Sequence, residues 1–468
     1  MNTYDVIVIG AGPGGYVAAI RAAQRGAKTA VVERGALGGV CLNIGCIPTK
    51  TLIHTAALYH KLQQAKEYGL LLDGLKLDMK QLLERKEKVV GLNTQGIQGL
   101  LKANGIDLYQ GQASLPEAGK VRVNDTELGT QKVIIATGGR PAQLPGFEFD
   151  GKVVIGSTDA LSLKRIPESV AIIGAGAIGA EFASIWNAFG AKVTLIEMMP
   201  TVLPRSDEEV AAVLGRVYKK RGVDVRTGTT VSKIERTASG ATLHLEGKRP
   251  GCIETELVLV AIGVQCNSEL VAENPALGIK LGKRGGIQVN ESLETDLPGV
   301  YAVGDVIDRS WLAHGASAEG IVAATNCTGG SAQMDYRVLP ACNFTDPELA
   351  GVGLTETQAK EQGYETKVGR FLFAANGRAH TIGSSEGMVK IIGDLKTDEI
   401  LGVHILGPEA GEMIATAALA MRMEATVEEI ATTIHTHPTL SEALWEAAQD
   451  YYGQGIHTRP TTGKTKKN

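Results

Sequence analysis

Asp5-Val-Ile-Val-Ile-Gly10-Ala-Gly12-Pro-Gly14-Gly15 opens the chain with an apolar run that passes directly into a glycine cluster. The run reads as a buried strand, the Ala-rich segment to Gln24 as a helix, and the next apolar run, ending at Glu33, as a second strand. In Gly10-x-Gly12-x-x-Gly15 the first glycine permits a tight turn. The second lets the backbone approach a pyrophosphate at the helix N-terminus, and the third lets helix and strand pack closely. The series then recurs as Ser169-Val-Ala-Ile-Ile, Gly174-x-Gly176-x-x-Gly179, a helix through Trp186, and Val193-Thr-Leu-Ile-Glu197. In both copies an acid stands 23 residues past the first glycine, Glu33 after Gly10 and Glu197 after Gly174, where it can accept from a ribose hydroxyl. One such loop is weak evidence, because glycine turns also serve packing. Two complete copies predict two dinucleotides on one chain. Glu197 would repel a 2'-phosphate, and the nearest following cation, Arg205, is eight residues on. NAD is therefore favoured over NADP.

The 468 residues leave room for about three domains. The 58 glycines cluster after β-rich runs without a period, as turns do. A net charge of -4 gives no field for nucleic acid. The first residues enter a strand at once and no apolar run reaches membrane-spanning length, so a cytoplasmic location is expected. Six cysteines in a chain this long do not form a disulfide scaffold, and a close pair among them points to metal binding or catalysis.

That pair is Cys41 and Cys46, in Leu37-Gly-Gly-Val-Cys41-Leu-Asn-Ile-Gly45-Cys46-Ile-Pro48-Thr-Lys50. With His54 and His60 downstream, the spacing superficially resembles a zinc site. On a helix, however, six residues advance about 600°, leaving those two histidines roughly 120° apart around the axis. They would not converge on one ion. Inert buried thiols are a second possibility. In a redox pair, the sulfurs meet only if the chain turns sharply, and Gly45 and Pro48 supply irregularity at the helix start. A helix N-terminus near Cys46 would favour its thiolate, implying a low thiol pKa.

Three motifs follow. Lys132-Val-Ile-Ile-Ala136 ends in Thr137-Gly138-Gly139, which in isolation is an ordinary strand-to-loop turn. Thr295-Asp-Leu-Pro-Gly-Val-Tyr-Ala-Val-Gly304-Asp305 delivers a carboxylate after an apolar strand, to accept from hydroxyls or to cap a helix. In His435-Thr-His437-Pro438-Thr439-Leu-Ser-Glu442, Thr439-x-x-Glu442 has the form of a capping box before a helix over 443–450. Equally, Glu442 could hold one ring nitrogen of a histidine and leave the other for proton transfer.

Together these residues resemble the FAD-dependent pyridine nucleotide-disulfide oxidoreductases, over essentially residues 3 to 455. The resemblance implies that Cys41 is the interchange thiol, Cys46 the thiol against the flavin, and Lys50 a neighbour of the isoalloxazine. It implies His437 as the base and Glu442 as its orienting carboxylate, with His435 structural. FAD, one tightly bound per subunit, would use Gly10, Gly12, Gly14, Gly15, Glu33, Lys50, Thr137, Gly138, Asp305 and Ala313. NAD+/NADH would use Gly174, Gly176, Gly179, Glu181, Glu197 and Gly263, with Glu181 pairing with Lys50. No metal is implied. Val40 and Thr49 stand where the family more often has Thr and Ser, and Gly263-Val-Gln-Cys266-Asn267 departs from the commoner Gly-Arg-x-Pro-Asn loop. No redox role is assigned to Cys266.

The fold class expected is α/β. Two Rossmann-like dinucleotide-binding domains, for FAD at 1–149 and NAD at 150–270, would precede a central domain at 271–338 and an α+β dimerisation domain at 339–468 with a polar tail from Gly453. The activity implied is oxidation of protein-bound dihydrolipoyl groups by NAD+. The partners implied are a second copy of the chain and the lipoyl domains of a 2-oxo acid dehydrogenase E2 or the glycine cleavage H protein. Two alternatives stand beside it, a disulfide reductase of the glutathione or mercuric type and a non-catalytic flavoprotein scaffold. Glu197 and the lack of a C-terminal thiol pair disfavour the reductases.

Overall fold

The computed structural model describes residues 2–458. Most of the predicted polar tail, from 459 onward, lies outside the described residues. Residues up to 166 with 260–335 form one compact unit, and 167–259 with those from 336 form another. Of the expected NAD domain at 150–270, residues 150–166 and 260–270 group with the first unit.

In the first unit the sheet runs Asp107–Gln110, Thr29–Glu33, Asn2–Ile9, Thr126–Ile135, Lys120–Val123, Ala113–Glu117. Its first four strands are parallel, with Ile9 level with Val32 and Ile135. Val300–Ala302 joins Thr126–Ile135 in parallel. Parallel strands covered on both faces read as unbroken apolar runs, as in the fully buried Thr29–Glu33. At two places the first loop cannot accept side chains. A Cβ on Gly10, at φ 101, would stand 2.3 Å from the Ala136 carbonyl oxygen, and one on Gly15 would stand 1.9 Å from that of Gly10. The helices Pro13–Gln24 and Ala313–Cys327 approach closely, since a Cβ on Gly320 would lie 2.4 Å from the Gly14 carbonyl oxygen.

The second unit repeats the motif in Asp224–Thr227, Lys192–Glu197 and Ser169–Ile173, parallel neighbours in that order. A separate antiparallel sheet follows from Thr229–Thr237, Gly240–Gly247 and Gly251–Thr255. The C-terminal part is a five-stranded antiparallel sheet ordered Ala341–Asn343, Glu348–Gly353, Ile400–Gly407, Met388–Asp394, Thr366–Leu372. Helices Ala410–Arg422 and Glu442–Tyr451 share its core, in which side chains such as Ile405 and Ile391 each contribute about 1.5–3 kcal/mol.

Lys390 is buried in that sheet, with Nζ 3.0 Å from Asp207 and Glu209 and 2.8 Å from Glu356. Burial would raise the Glu356 carboxyl, but Lys360 and Lys390 outweigh it and hold it down to about 2. Asp207 also caps the helix Glu208–Lys220 through the Val210 N–H. One buried ammonium thus ties that helix to the sheet, which is tolerable only because each charge has partners.

Candidate active site

The two glycine loops offer equivalent cradles. Helices Pro13–Gln24 and Ala177–Ala188 start directly after Gly12 and Gly176, and neither has a side-chain cap on its first amides. Such N-termini suit an anion. A Cβ on Gly176 would meet no atom within 4 Å, and one on Gly12 only Gly39 Cα at 3.9 Å. Internal packing does not demand glycine at either place, whereas close approach of a pyrophosphate would. Gly14 differs, because a Cβ there would press on Val303 at 3.1 Å, giving it a packing reason.

The paired acids are held alike. Glu33 accepts from the Ala11 and Gly35 N–H groups, both at 2.7 Å. Glu197 accepts from Ala175 and Met199, both at 2.8 Å. Each carboxylate oxygen keeps a second lone pair for a ribose hydroxyl.

Asp305 sits in the first turn of the short 3-10 helix Gly304–Ile307, whose N-cap position is held by Val303. Burial alone raises its carboxyl. A polyhydroxylated ligand chain would supply the compensating donors, so the FAD expected from the resemblance fits the residues present. The preceding Gly304 N–H donates to Glu319 at 2.6 Å, and Glu319 is fully buried. Sequence reasoning missed Glu319; its signal was a lone acid in the small-residue helix Ala313–Cys327, whose first residue is Ala313.

Thr137 Oγ1 donates to the Asn267 carbonyl at 2.7 Å, and Asn267 Nδ2 returns a bond to the Thr137 carbonyl at 2.9 Å. The Asn267 N–H donates to Gly138, and the Ala142 N–H to Gly263. The altered loop is a strand, Val264–Cys266, antiparallel to Gly139–Pro141. Cys266 is buried, which pushes its thiol up to about 11, and it donates to the Asp305 carbonyl at 3.3 Å. Its contact is with the backbone that positions Asp305.

The structure brings Cys41, Cys46 and Lys50 together. Cys41 lies on a short helix, Gly39–Ile44, Gly45 breaks the chain direction, and Cys46 begins the helix Cys46–Gln63. A Cβ on Gly45 would stand 2.8 Å from the Val40 carbonyl oxygen, so the sharp turn needs glycine. Asn43 Nδ2 braces it by donating to Leu37 and Gly39 carbonyls, each at 2.9 Å. Cys41 does not lie at the helix N-terminus expected to favour the Cys46 thiolate, and its own thiol shifts the other way. Its hydrogen bond with Cys46 and burial push it up, and the Lys50 ammonium opposes this only in part. Sequence reasoning also missed Tyr16, a half-buried neighbour of Cys41 whose hydroxyl is pushed up by burial and by that thiol. Its signal was an aromatic ring directly after Gly15. Among the described residues no group of three or more His, Cys, Asp or Glu could hold a metal.

His437 Nδ1 lies 2.8 Å from Glu442 Oε1. Burial would raise the Glu442 carboxyl, but the Thr439 N–H and His437 hold it below its ordinary value. The capping box is only half formed. Glu442 Oε2 accepts from the Thr439 N–H at 2.7 Å, whereas Thr439 Oγ1 donates to the Thr436 carbonyl. The helix starts at Glu442 itself, so the carboxylate is turned back toward the imidazole. With Nδ1–H donated to Glu442, Nε2 is left as the proton acceptor. His435 instead contacts the Thr433 carbonyl at 2.9 Å. Glu181 is buried and accepts from the Phe344 N–H at 2.9 Å.

Residues 4–320 match the pyridine nucleotide-disulphide oxidoreductases, and 339–448 match the dimerisation domain of the same group. The chain is 48% identical to dihydrolipoyl dehydrogenase of Thermus scotoductus over 461 residues, 98% of this chain and 99% of the relative. It is 42% identical to dihydrolipoyl dehydrogenase of Bacillus subtilis, over 97% of this chain and 99% of the relative. Among solved structures, LpdA from Mycobacterium tuberculosis superposes with a TM-score of 0.87 at 27% identity, covering 96% of this chain and 99% of LpdA.

Proposed function

The chain belongs to the pyridine nucleotide-disulphide oxidoreductase family, and from that premise we infer that it oxidises dihydrolipoyl groups to lipoyl groups and reduces NAD+ to NADH. The observation that carries this is similarity to dihydrolipoyl dehydrogenases along nearly the whole length of both chains, together with the Cys41–Cys46 hydrogen bond on which the Lys50 charge acts. The dimerisation-domain match supports a homodimer. No helix among the described residues is long and apolar enough to cross a membrane.

The residue roles belong to the same proposal. Bound FAD supplies a two-electron relay between the thiol pair and NAD+. Gly10, Gly12, Gly15, Glu33, Asp305 and the Thr137-Gly138 turn would hold FAD. Gly174, Gly176, Gly179, Glu181, Glu197 and Gly263 would hold NAD+, and Lys50 would act on the flavin side. His437, held by Glu442 and contributed by the partner subunit, takes a proton from the substrate thiol at Nε2. The thiolate attacks Cys41 of a Cys41–Cys46 disulfide, and Cys46 leaves as a thiolate stabilised by the helix N-terminus. The second substrate thiol, deprotonated in turn, attacks the sulfur bound to Cys41 and expels the Cys41 thiol with closure of the lipoyl ring. We further propose lipoyl carriers of E2 or the H protein as partners, a cytoplasmic location, and division into domains at 1–149, 150–270, 271–338 and 339–468.

An assay on the purified yellow protein tests the activity. Turnover of dihydrolipoamide with NAD+ should exceed that of glutathione disulfide or mercuric ion with NADPH by orders of magnitude, and the reverse order would replace this function with a reductase. The second cradle is tested by Gly179→Ala, since the new Cβ would stand 1.9 Å from the Gly174 carbonyl oxygen. Helix and turn must separate, so KM for NAD+ should rise by about tenfold or more while flavin content is kept. An unchanged KM would mean NAD+ binds elsewhere.

A further inference from the structure

A second nucleophile stands beside a base on the antiparallel sheet Thr229–Thr237, Gly240–Gly247, Gly251–Thr255. The register sets His244 opposite Cys252 on one side and Lys233 on the other. Cys252 Sγ lies 3.4 Å from His244 Nδ1, and His244 Nε2 lies 3.2 Å from Glu235 Oε2. Nε2 is enclosed and meets Glu235 too obliquely for a full hydrogen bond, so the carboxylate acts on the ring mainly through its charge. Lys233 pairs with Glu235, and Lys233 first, then His244, holds that carboxyl below its ordinary value. Strand alternation sets Glu246 and Glu254 on the same face. Three neighbouring strands therefore present a thiol, an imidazole and a carboxylate in line, held by backbone pairing.

Two other cysteines lack this setting. Cys266 and Cys327 are buried, and burial pushes their thiols up to about 11 and about 12. Cys252 is exposed. A thiol reacts as its thiolate, and an adjacent base with a carboxylate behind it is the arrangement that delivers one. Neither Cys252 nor His244 has a part in the lipoyl reaction described above.

We propose that Cys252, with His244 as its base and Glu235 as the carboxylate behind that base, is a thiol–disulfide exchange site that captures small disulfides from solution. The Cys252 proton passes to His244 Nδ1, and Glu235 stabilises the imidazolium. The thiolate attacks one sulfur of R–S–S–R, the Cys252–sulfur bond forms as the sulfur–sulfur bond breaks, and the departing thiolate takes the proton from His244. Cys252 is oxidised to the disulfide level and one sulfur of the reagent is reduced to a thiol, which balances the step. The product is a mixed disulfide that a thiol reductant reverses.

The test uses the purified holoenzyme with glutathione disulfide and, separately, uncharged 2-hydroxyethyl disulfide, each modified cysteine being located by peptide mass. Cys252 should be modified about tenfold faster than the partly buried Cys342. His244→Gln should slow Cys252 by about tenfold with both reagents, which separates loss of a base from loss of charge, and Cys252→Ser should remove the fast phase. Glu235→Gln, a change at an exposed side chain, should slow it by a smaller factor and keeps the test decisive if the His244 variant folds poorly. A Cys252 rate indifferent to both variants, or a fast phase on a cysteine other than Cys252 and the Cys41–Cys46 pair, overturns the proposal.

Discussion

Replacement of Cys46 by serine should lower dihydrolipoamide turnover by on the order of 10⁴-fold or more, while the protein still folds and binds flavin. Serine is nearly isosteric and fits the first position of the helix Cys46–Gln63, so the scaffold is kept. What is lost is the partner with which Cys41 forms a disulfide, and the leaving thiolate when that disulfide is opened. The asymmetry of the pair sharpens the expectation. Cys41 is the thiol whose proton is held, by its contact with Cys46 and by burial, while Cys46 sits on the helix N-terminus. The negative charge of the reduced pair should therefore reside on Cys46, and half-reduced enzyme should show a long-wavelength thiolate-to-flavin absorbance that Cys46→Ser abolishes. If the band survives the substitution, Cys46 is not the thiol beside the flavin.

His437→Ala should lower lipoamide turnover by about 10²–10⁴-fold, the range expected for loss of a positioned base. NADH oxidation by artificial acceptors, which bypasses the thiols, should be spared. Equal loss of both activities would make the histidine structural. Glu442→Gln should fall between wild type and His437→Ala, because it weakens the contact at 2.8 Å that orients the ring but leaves the ring in place. If the base comes from the partner subunit, mixing inactive Cys46→Ser and His437→Ala chains restores activity. Random pairing makes half the dimers mixed, and each mixed dimer has one intact site, so about a quarter of all sites recover. No recovery after demonstrated subunit exchange would place base and disulfide on one chain.

The two dinucleotide loops were legible because the first and third glycines of each answer a local steric demand that no other residue meets. Gly10 must take φ 101, and Gly15 must let its own turn's carbonyl approach. Such demands are written into fixed spacings. The strands around Lys390 were not legible in the same way. Met388–Asp394 and Ile400–Gly407 are buried at every position, so no alternation betrays them, and a lysine within the first argues against a core strand until its three carboxylate partners are known. At Thr439-x-x-Glu442 a correct local pattern led to the wrong hydroxyl contact, because the Thr436 carbonyl captures Thr439 Oγ1. Glu319 and the Cys252–His244 pair depend on tertiary approach or strand register. Neither leaves a trace in spacing alone.

Glu33 and Glu197 each tether two stretches of backbone, joining Ala11 to Gly35 and Ala175 to Met199. The acid that would select the ribose is thus also the rivet of the turn that would receive the pyrophosphate. Engineering this enzyme to accept a 2'-phosphorylated nicotinamide would therefore take more than exchanging Glu197 for a neutral or basic residue. That exchange would strand two amide donors and loosen the glycine turn before any new phosphate contact could form. A successful redesign would have to install a replacement acceptor for the Ala175 and Met199 amides together with the new cation, so coenzyme preference and loop rigidity are inherited as one trait.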